Sequence, residues 1–369
     1  MGKEQICPRQ LFMLIISFEL GTTIVLGLGL EAKQDAWIAI LLATMVGLLL
    51  YVMYTQLFRL FPGQTLIQFI PQVFGKVLGF PLSLLYLSFF IYLAARDLRD
   101  LAELIIDAFL PQTPLAVISL FIILVICYAV FHGIEVVGRV NEVLLPIVLI
   151  MLVLMTILLL ASNKIHITNL QPVLGEGIKP IIKATFPLAV VFPFGEAVVF
   201  GMFFPYLNQP SKARATGLAA FLVSGIIISY TTAVNIAVLN ADIASMATFP
   251  LLATVRLIDV GQFIQRFEII AMFLMFIGAF IKITLYFLGV IIGASSMFRL
   301  PNHRSLVVPV GLIIFTSSIY IASSFPEHLE EGLKIAVPIL LIPLELIVPF
   351  VMLLIAYVRK WYHSKITNT

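Results

Sequence analysis

Two glutamates and a lysine stand inside stretches otherwise apolar enough to cross a membrane: Glu19 in "ISFELGTTIVLGLGL", Glu196 in "FPFGEAVVFG" and Lys282 in "GAFIKITLYFLG". An ionisable side chain in a bilayer core faces protein or a water-filled cavity, and by default it marks a functional site. Two carboxylates beside one cavity repel each other unless a cation lies near, and Lys282 is the candidate. Its ammonium would replace a coupling ion or act as a proton-responsive switch. The competing reading is a structural ion pair with Glu19 or Glu268, and both readings stand.

The same stretches contain helix breakers. Gly21 follows Glu19, and Pro193 and Gly195 precede Glu196. Unwound backbone leaves N–H and C=O groups free, and the positive ends of half-helices near Gly21–Thr23 and Gly195–Val198 suit an anionic group such as a carboxylate. Thr22 and Thr23 supply hydroxyls, while Phe18, Phe192 and Phe194 supply apolar walls, so a small zwitterion fits. The plainer explanation, a kink between packed helices, suffices for one break. Two breaks in corresponding positions, each with a glutamate, favour a site.

A third pattern lies in "IYLAARDLRDLAELIIDAFLP", where Asp97, Asp100, Glu103 and Asp107 share one helical stripe. Arg96 with Asp100 and Arg99 with Glu103 are spaced for self-pairing. A vestibule, a partner contact and a solvated helix end all fit, the last being the commonest origin of such pairs. Tyr92, one turn earlier, is placed to line a central cavity or to pack as an ordinary aromatic.

The elements that must hold these residues are membrane helices. The 369 residues are 61% hydrophobic and 11% charged, with a mean hydropathy of +1.12, which excludes a soluble globular domain. Apolar runs of spanning length number ten, near 10–30, 36–60, 79–110, 114–132, 140–161, 180–206, 213–239, 262–297, 305–323 and 334–358. The segment "PGQTLIQFIPQVFGKVLG" mixes polar and apolar positions and reads as an interfacial stretch before the third span. "PEHLEEG" reads as an acidic outer hairpin before the last span.

With both ends inside, twelve Lys and Arg residues fall on inner segments, among them Lys3, Lys76, Arg299, Arg359 and Lys365, against seven outside, including Arg256 and Arg266. That bias predicts cytoplasmic termini. The first apolar run lacks a small-residue cleavage site and reads as a retained span. A net charge of +3, scattered along the chain, gives no reason to expect nucleic acid. Cys7 and Cys127 have no metal-ligand spacing, and His132, His166, His303, His328 and His363 lie singly at span ends, in loops or in the tail. Neither an enzyme's nucleophile and base nor a metal or cofactor is expected.

Ten spans suit a single transmembrane domain, residues 1–369, built as two inverted repeats at about 10–161 and 180–358. The two breaks fall first in their halves. The third and eighth spans are the two longest, as expected of tilted scaffold helices.

Several further motifs carry a family likeness: "QDAWIAILL", "FPGQTLIQF", "FGKVLGFPLSLLYLSFF", "LPQTPLAV", "HGIEVVGRVNEVLLPI" and "NLQPVLGEGIKPIIKATFP". Over nearly its whole length the chain resembles the B subunit of GerA-type spore germinant receptors, in the amino acid, polyamine and organocation superfamily. The resemblance implies a LeuT-like all-α membrane fold with broken helices 1 and 6. It also implies a germinant, commonly an amino acid, a place in the spore inner membrane, and A and C subunits as partners. Carried onto this chain, its pocket includes Gly21, Thr22, Tyr92, Phe194, Gly195 and Thr284. A receptor subunit would sense nutrient without completing transport, whereas a proton-coupled amino acid permease would use the same pocket through a full cycle. A channel-forming or purely structural subunit would leave it unused.

Overall fold

A computed structural model describes residues 4–259 and 267–366, with side chains through residue 360. Lys3, Arg266 and the expected start of the eighth span at 262, like the side chains of His363 and Lys365, lie outside the described residues. Among the described residues ten helical segments are long and apolar enough to cross a membrane. They are α1 (Pro8–Leu26), α2 (Leu30–Leu60), α3 (Leu66–Ala108), α4 (Leu115–His132), α5 (Ile134–Ala161), α6 (Ile178–Met202), α7 (Pro210–Leu239), α8 (Glu268–Phe298), α9 (His303–Tyr320) and α10 (Phe325–Lys360). Both termini therefore emerge on one face, called here the terminal face.

Local chemistry explains the element ends. Gly75, at φ +79°, separates a short helix from the long part of α3. The backbone N–H of Thr65 donates to Gln68 Oε1 at 2.9 Å and starts that short helix. The residues expected as an acidic hairpin instead form a helical turn, Phe325–Glu331, continuous with α10, because Ser324 Oγ caps it by accepting from the Glu327 N–H. Among the described residues, that extension makes α10 36 residues long against 31 for α8, whose expected start lies outside them, while α3 is the longest at 43.

Packing divides the helices by position in each half. The first two of each, α1, α2, α6 and α7, pack together, and α3, α4, α8 and α9 pack together beside them. Small residues allow the close approaches that a lipid-embedded bundle needs, since apolar burial gives no preference for protein over lipid tails. Gly217 of α7 makes room for Tyr51 of α2, whose hydroxyl donates to the Ala213 carbonyl at 3.1 Å.

A close backbone approach positions the site. At Gly278 of α8, a Cβ would lie 2.8 Å from Gly21 Cα and 2.9 Å from Gly21 O, so the broken backbone of α1 rests directly on α8. Gly278→Ala is expected to destabilise the protein by roughly 1–3 kcal/mol. The control Gly289→Ala, whose nearest neighbour is a Val199 methyl at 3.3 Å, should cost less. Unfolding temperatures in detergent check this, and equal values would mean that the contact at Gly21 yields freely.

Candidate ligand-binding site

The two interrupted helices meet at mid-depth. In α1 the regular helix ends at Leu20 and resumes for only one turn, Thr23–Leu26. In α6 the backbone leaves helical geometry at Phe186 and again at Phe192 (φ −112°, ψ 116°), and Pro193 opens the next helical stretch. Proline suits that position because the amide it lacks would have no partner there. One turn at Thr23–Leu26 is too short to gather a useful helix dipole, so the expected anion-holding role of Gly21–Thr23 has little support on the α1 side.

Into this junction α8 sends Lys282, which is 0% exposed. Its Nζ lies 2.5 Å from Glu196 Oε2 of α6 and 3.9 Å from Asp97 Oδ1 of α3. The rings of Phe192 and Phe18 lie 4.4 Å and 5.4 Å from the ammonium, a geometry in which aromatic faces assist a desolvated cation. Thr22 Oγ1, at the α1 break, donates to Asp97 Oδ1 at 3.0 Å. Four helices are thus tied through one ammonium and two carboxylates. Neither expected partner of Lys282 pairs with it: Glu268 lies fourteen residues away, about 21 Å along α8, and meets Arg256 at 3.8 Å. Glu19 is fully buried, with both oxygens lacking a hydrogen-bond partner among the described residues.

On the side of the cluster away from the terminal face lies a cavity of about 90 Å³. That is several times the ~10–15 Å³ a water needs, enough for a small solute. Asp97 and Glu196 form its acidic floor, Leu93, Phe192 and Leu26 form walls from α3, α6 and α1, and Ala336 and Val337 close it from α10. Asp97 Oδ2 has no hydrogen-bond partner among the described residues and is a free acceptor at this floor.

Of the residues singled out from sequence, Phe18, Gly21, Thr22, Phe192, Glu196 and Lys282 come together here. Gly21 is needed because a Cβ would lie 2.7 Å from Lys282 Cδ. Thr23 is buried, with a hydroxyl that has no hydrogen-bond partner among the described residues. Phe194 instead packs in the core against Gly47 and Phe221, and Thr284 Oγ1 donates to the Phe280 carbonyl of its own helix at 2.6 Å. Gly195 faces Glu345 of α10, whose carboxylate occupies the space a side chain would need, so it does not border the cavity. Tyr92 lies outside the lining as well and donates to Glu331 at 2.9 Å.

The charged stripe of α3 is not a solvated end: Asp97, Arg99 and Asp100 are buried. Arg99 pairs with Glu103 at 3.3 Å as its spacing suggests. Arg96 pairs with Glu331 rather than Asp100, and Asp100 Oδ1 lies 2.9 Å from Nε2 of His328, a fully buried histidine rather than a lone one in a loop. The Phe325–Glu331 turn packs on the stripe and outcompetes the local pairing. Glu345 escaped the sequence analysis. It is 0% exposed with both carboxylate oxygens unpartnered among the described residues, and Tyr54 OH lies 2.8 Å from its carbonyl. As a single acid inside "IPLELI", it shows the same signal that drew attention to Glu19.

Comparison with known proteins bears on what this cavity serves. The family model described as "Spore germination protein" matches residues 5–326. The chain is 36% identical over 365 residues to Spore germination protein KB of Bacillus subtilis (strain 168), covering 99% of this chain and 98% of that protein. It is 24% identical over 300 residues to Spore germination protein YndE of the same organism, covering 80% and 79%. Among solved structures it matches Mhp1, a nucleobase-cation-symport-1 family transporter, in a closed conformation with bromovinylhydantoin bound. There the TM-score is 0.65 at 14% identity, over 87% of this chain and 73% of that one. This likeness shows the fold, the LeuT-like arrangement of ten helices in two halves.

Proposed function

Because the chain belongs to the spore germination protein family, we propose that it is the B-type membrane subunit of a germinant receptor and binds a small nutrient, an amino acid first among them, in the cavity beside Lys282. The observation that carries the reading is the cavity itself, floored by Asp97 and Glu196 where the breaks of α1 and α6 meet. An ammonium group suits the free Oδ2 of Asp97, and an apolar side chain suits Leu93, Phe192 and Val337. Ligand that prefers one arrangement of the helices biases the protein toward it, which is all a sensor requires.

On this reading the termini are cytoplasmic and the cavity lies toward the outer side of the spore inner membrane. The halves at about 10–161 and 180–358 move against each other, and larger A and lipoprotein C subunits receive the change. A permease that completes the cycle is the second reading, and the likeness to a transporter fold favours it. Liposomes containing this chain alone, offered labelled amino acids beside equilibrium binding to the purified protein, separate the two. We expect saturable binding without accumulation. Accumulation would make the chain a permease, and an absence of binding across the amino acid panel would refute the amino acid reading.

A further inference from the structure

A second concavity, on the terminal face, lies apart from the Lys282 cavity. It occupies about 830 Å³ between the short helix that opens α3 and the end of α8. Lys76 and Arg299 both line it, and neither makes an ion pair among the described residues. Its other polar walls are three amides and two hydroxyls, Gln64, Gln68, Gln72, Ser296 and Ser83, the last donating to the Ile67 carbonyl at 3.4 Å. The amides and Ser296 are tied to one another, Gln68 Nε2 donating to Ser296 Oγ at 2.9 Å and Gln72 Nε2 to Gln64 Oε1 at 2.5 Å and to the Gln68 carbonyl at 3.5 Å, which leaves the Ser296 proton and one amide N–H of Gln68 without an acceptor among the described residues. No acidic residue lines this groove or the adjoining one, which shares Arg299 and adds His303.

Two cations without partners in a groove of hydrogen-bond donors form a receptor for an anion with several acceptor oxygens. The two cations differ in how far their own helices account for them. Lys76 opens the long part of α3, where a helix dipole disfavours positive charge. Arg299 does favour the C-terminal end of α8, yet it adopts φ +54°, a left-handed conformation that glycine takes with less strain. Beside the groove, Val77, Leu78 and Phe80 are 86%, 66% and 50% exposed, an apolar strip continuous with the cationic site. A soluble anion has no use for that strip, whereas an acyl chain does.

We propose that this groove binds the phosphate headgroup of an anionic membrane lipid, with Lys76 and Arg299 on the phosphate and the lipid tail along Val77, Leu78 and Phe80. The site is independent of the nutrient reading, since it shares no residue with the Lys282 cavity. Occupancy would hold the short helix 66–74 against α8.

The test uses the full chain, delipidated in detergent and offered phosphatidylglycerol or phosphatidylcholine, with retained lipid counted by native mass spectrometry. Phosphatidylglycerol should be retained preferentially, and each of Lys76→Gln and Arg299→Gln should reduce that preference by about fivefold, the effect of ~1 kcal/mol per basic residue. Lys212→Gln, exposed on the same face but outside the groove, should leave it unchanged. Both groove positions are exposed, so the single variants should fold, and their unfolding temperatures confirm it. Equal retention of the two lipids, or an unchanged preference in both groove variants, overturns the proposal. Glycerol 3-phosphate displacing the lipid at equal concentration would overturn it too, by showing a site for soluble phosphate.

Discussion

Lys282→Met is expected to destabilise the protein by about 3–5 kcal/mol, because it leaves the buried carboxylates of Glu196 and Asp97 without their cation. Methionine matches the length of the lysine stem, so most of the loss is electrostatic rather than steric. Adding Glu196→Gln should restore part of the stability by removing one of the stranded charges. The same double variant should still fail to respond to nutrient if the ammonium takes part in the conformational change. Thermal unfolding in detergent measures the first effect and ligand-dependent protection the second. If Lys282→Met alone unfolds at the wild-type temperature, the cluster does not hold the four helices together.

The second large effect concerns the cavity. Val337→Trp places an indole into about 90 Å³ bounded by Leu93, Phe192 and Ala336, leaving no room for a solute. We expect nutrient affinity to fall by more than tenfold, roughly 1.4 kcal/mol or more of binding free energy. The cost to folding should stay near 1–3 kcal/mol, within which a stable membrane protein persists. Gly195→Trp is a poorer probe of the same idea, since its side chain meets Glu345 and disturbs the carbonyl that lies 3.0 Å from Tyr54 OH. Normal affinity in Val337→Trp would move the ligand elsewhere.

What was legible in the sequence follows from which signals are local. Ten apolar runs, a glycine after Glu19 and a proline before Glu196 are visible residue by residue, and they identified the spans and both breaks. Rotation about a helix axis is not local in the same way. A 3.6-residue period sets positions two apart about 200° from one another, so it separates Phe192 from Phe194, but the α6 backbone switches between tight and wide turns through Phe186–Met202 and which of the two faces the cavity is not forecast. Lys282 was visible as a charge at mid-depth, but its partners depend on how α3, α6 and α8 are rotated. Asp97 was hidden by its company: it stands next to Arg96 in a stripe whose spacing suggested self-pairing, and only the Phe325–Glu331 turn draws Arg96 away. Glu345 needed no structure to be noticed. It stands two residues after Pro343, inside a helical stretch that also holds Pro338.

The acidic content of the site narrows the chemistry further. Asp97, Glu196, Glu19 and Glu345 are all buried around a single lysine. A ligand that brings its own positive charge to Asp97 complements the floor, whereas Arg96, which also lines the cavity, is the cation available there to a ligand carboxylate. Amino acids with a free amine should therefore outcompete their N-acetylated counterparts, and the comparison is made in one competition assay.

The most direct measurement is thiol labelling of Val337→Cys in a chain whose Cys7 and Cys127 are replaced by serine, with and without nutrient. A small, polar thiol reagent should reach this position through the mouth of the cavity, and a bound amino acid should slow the reaction in proportion to its occupancy. Labelling of a cysteine placed at Met246, exposed in the connection between α7 and α8, should be indifferent to nutrient. If the amino acid binds in the same sample and Val337→Cys reacts at an unchanged rate, the ligand sits outside this cavity and the account fails at its centre.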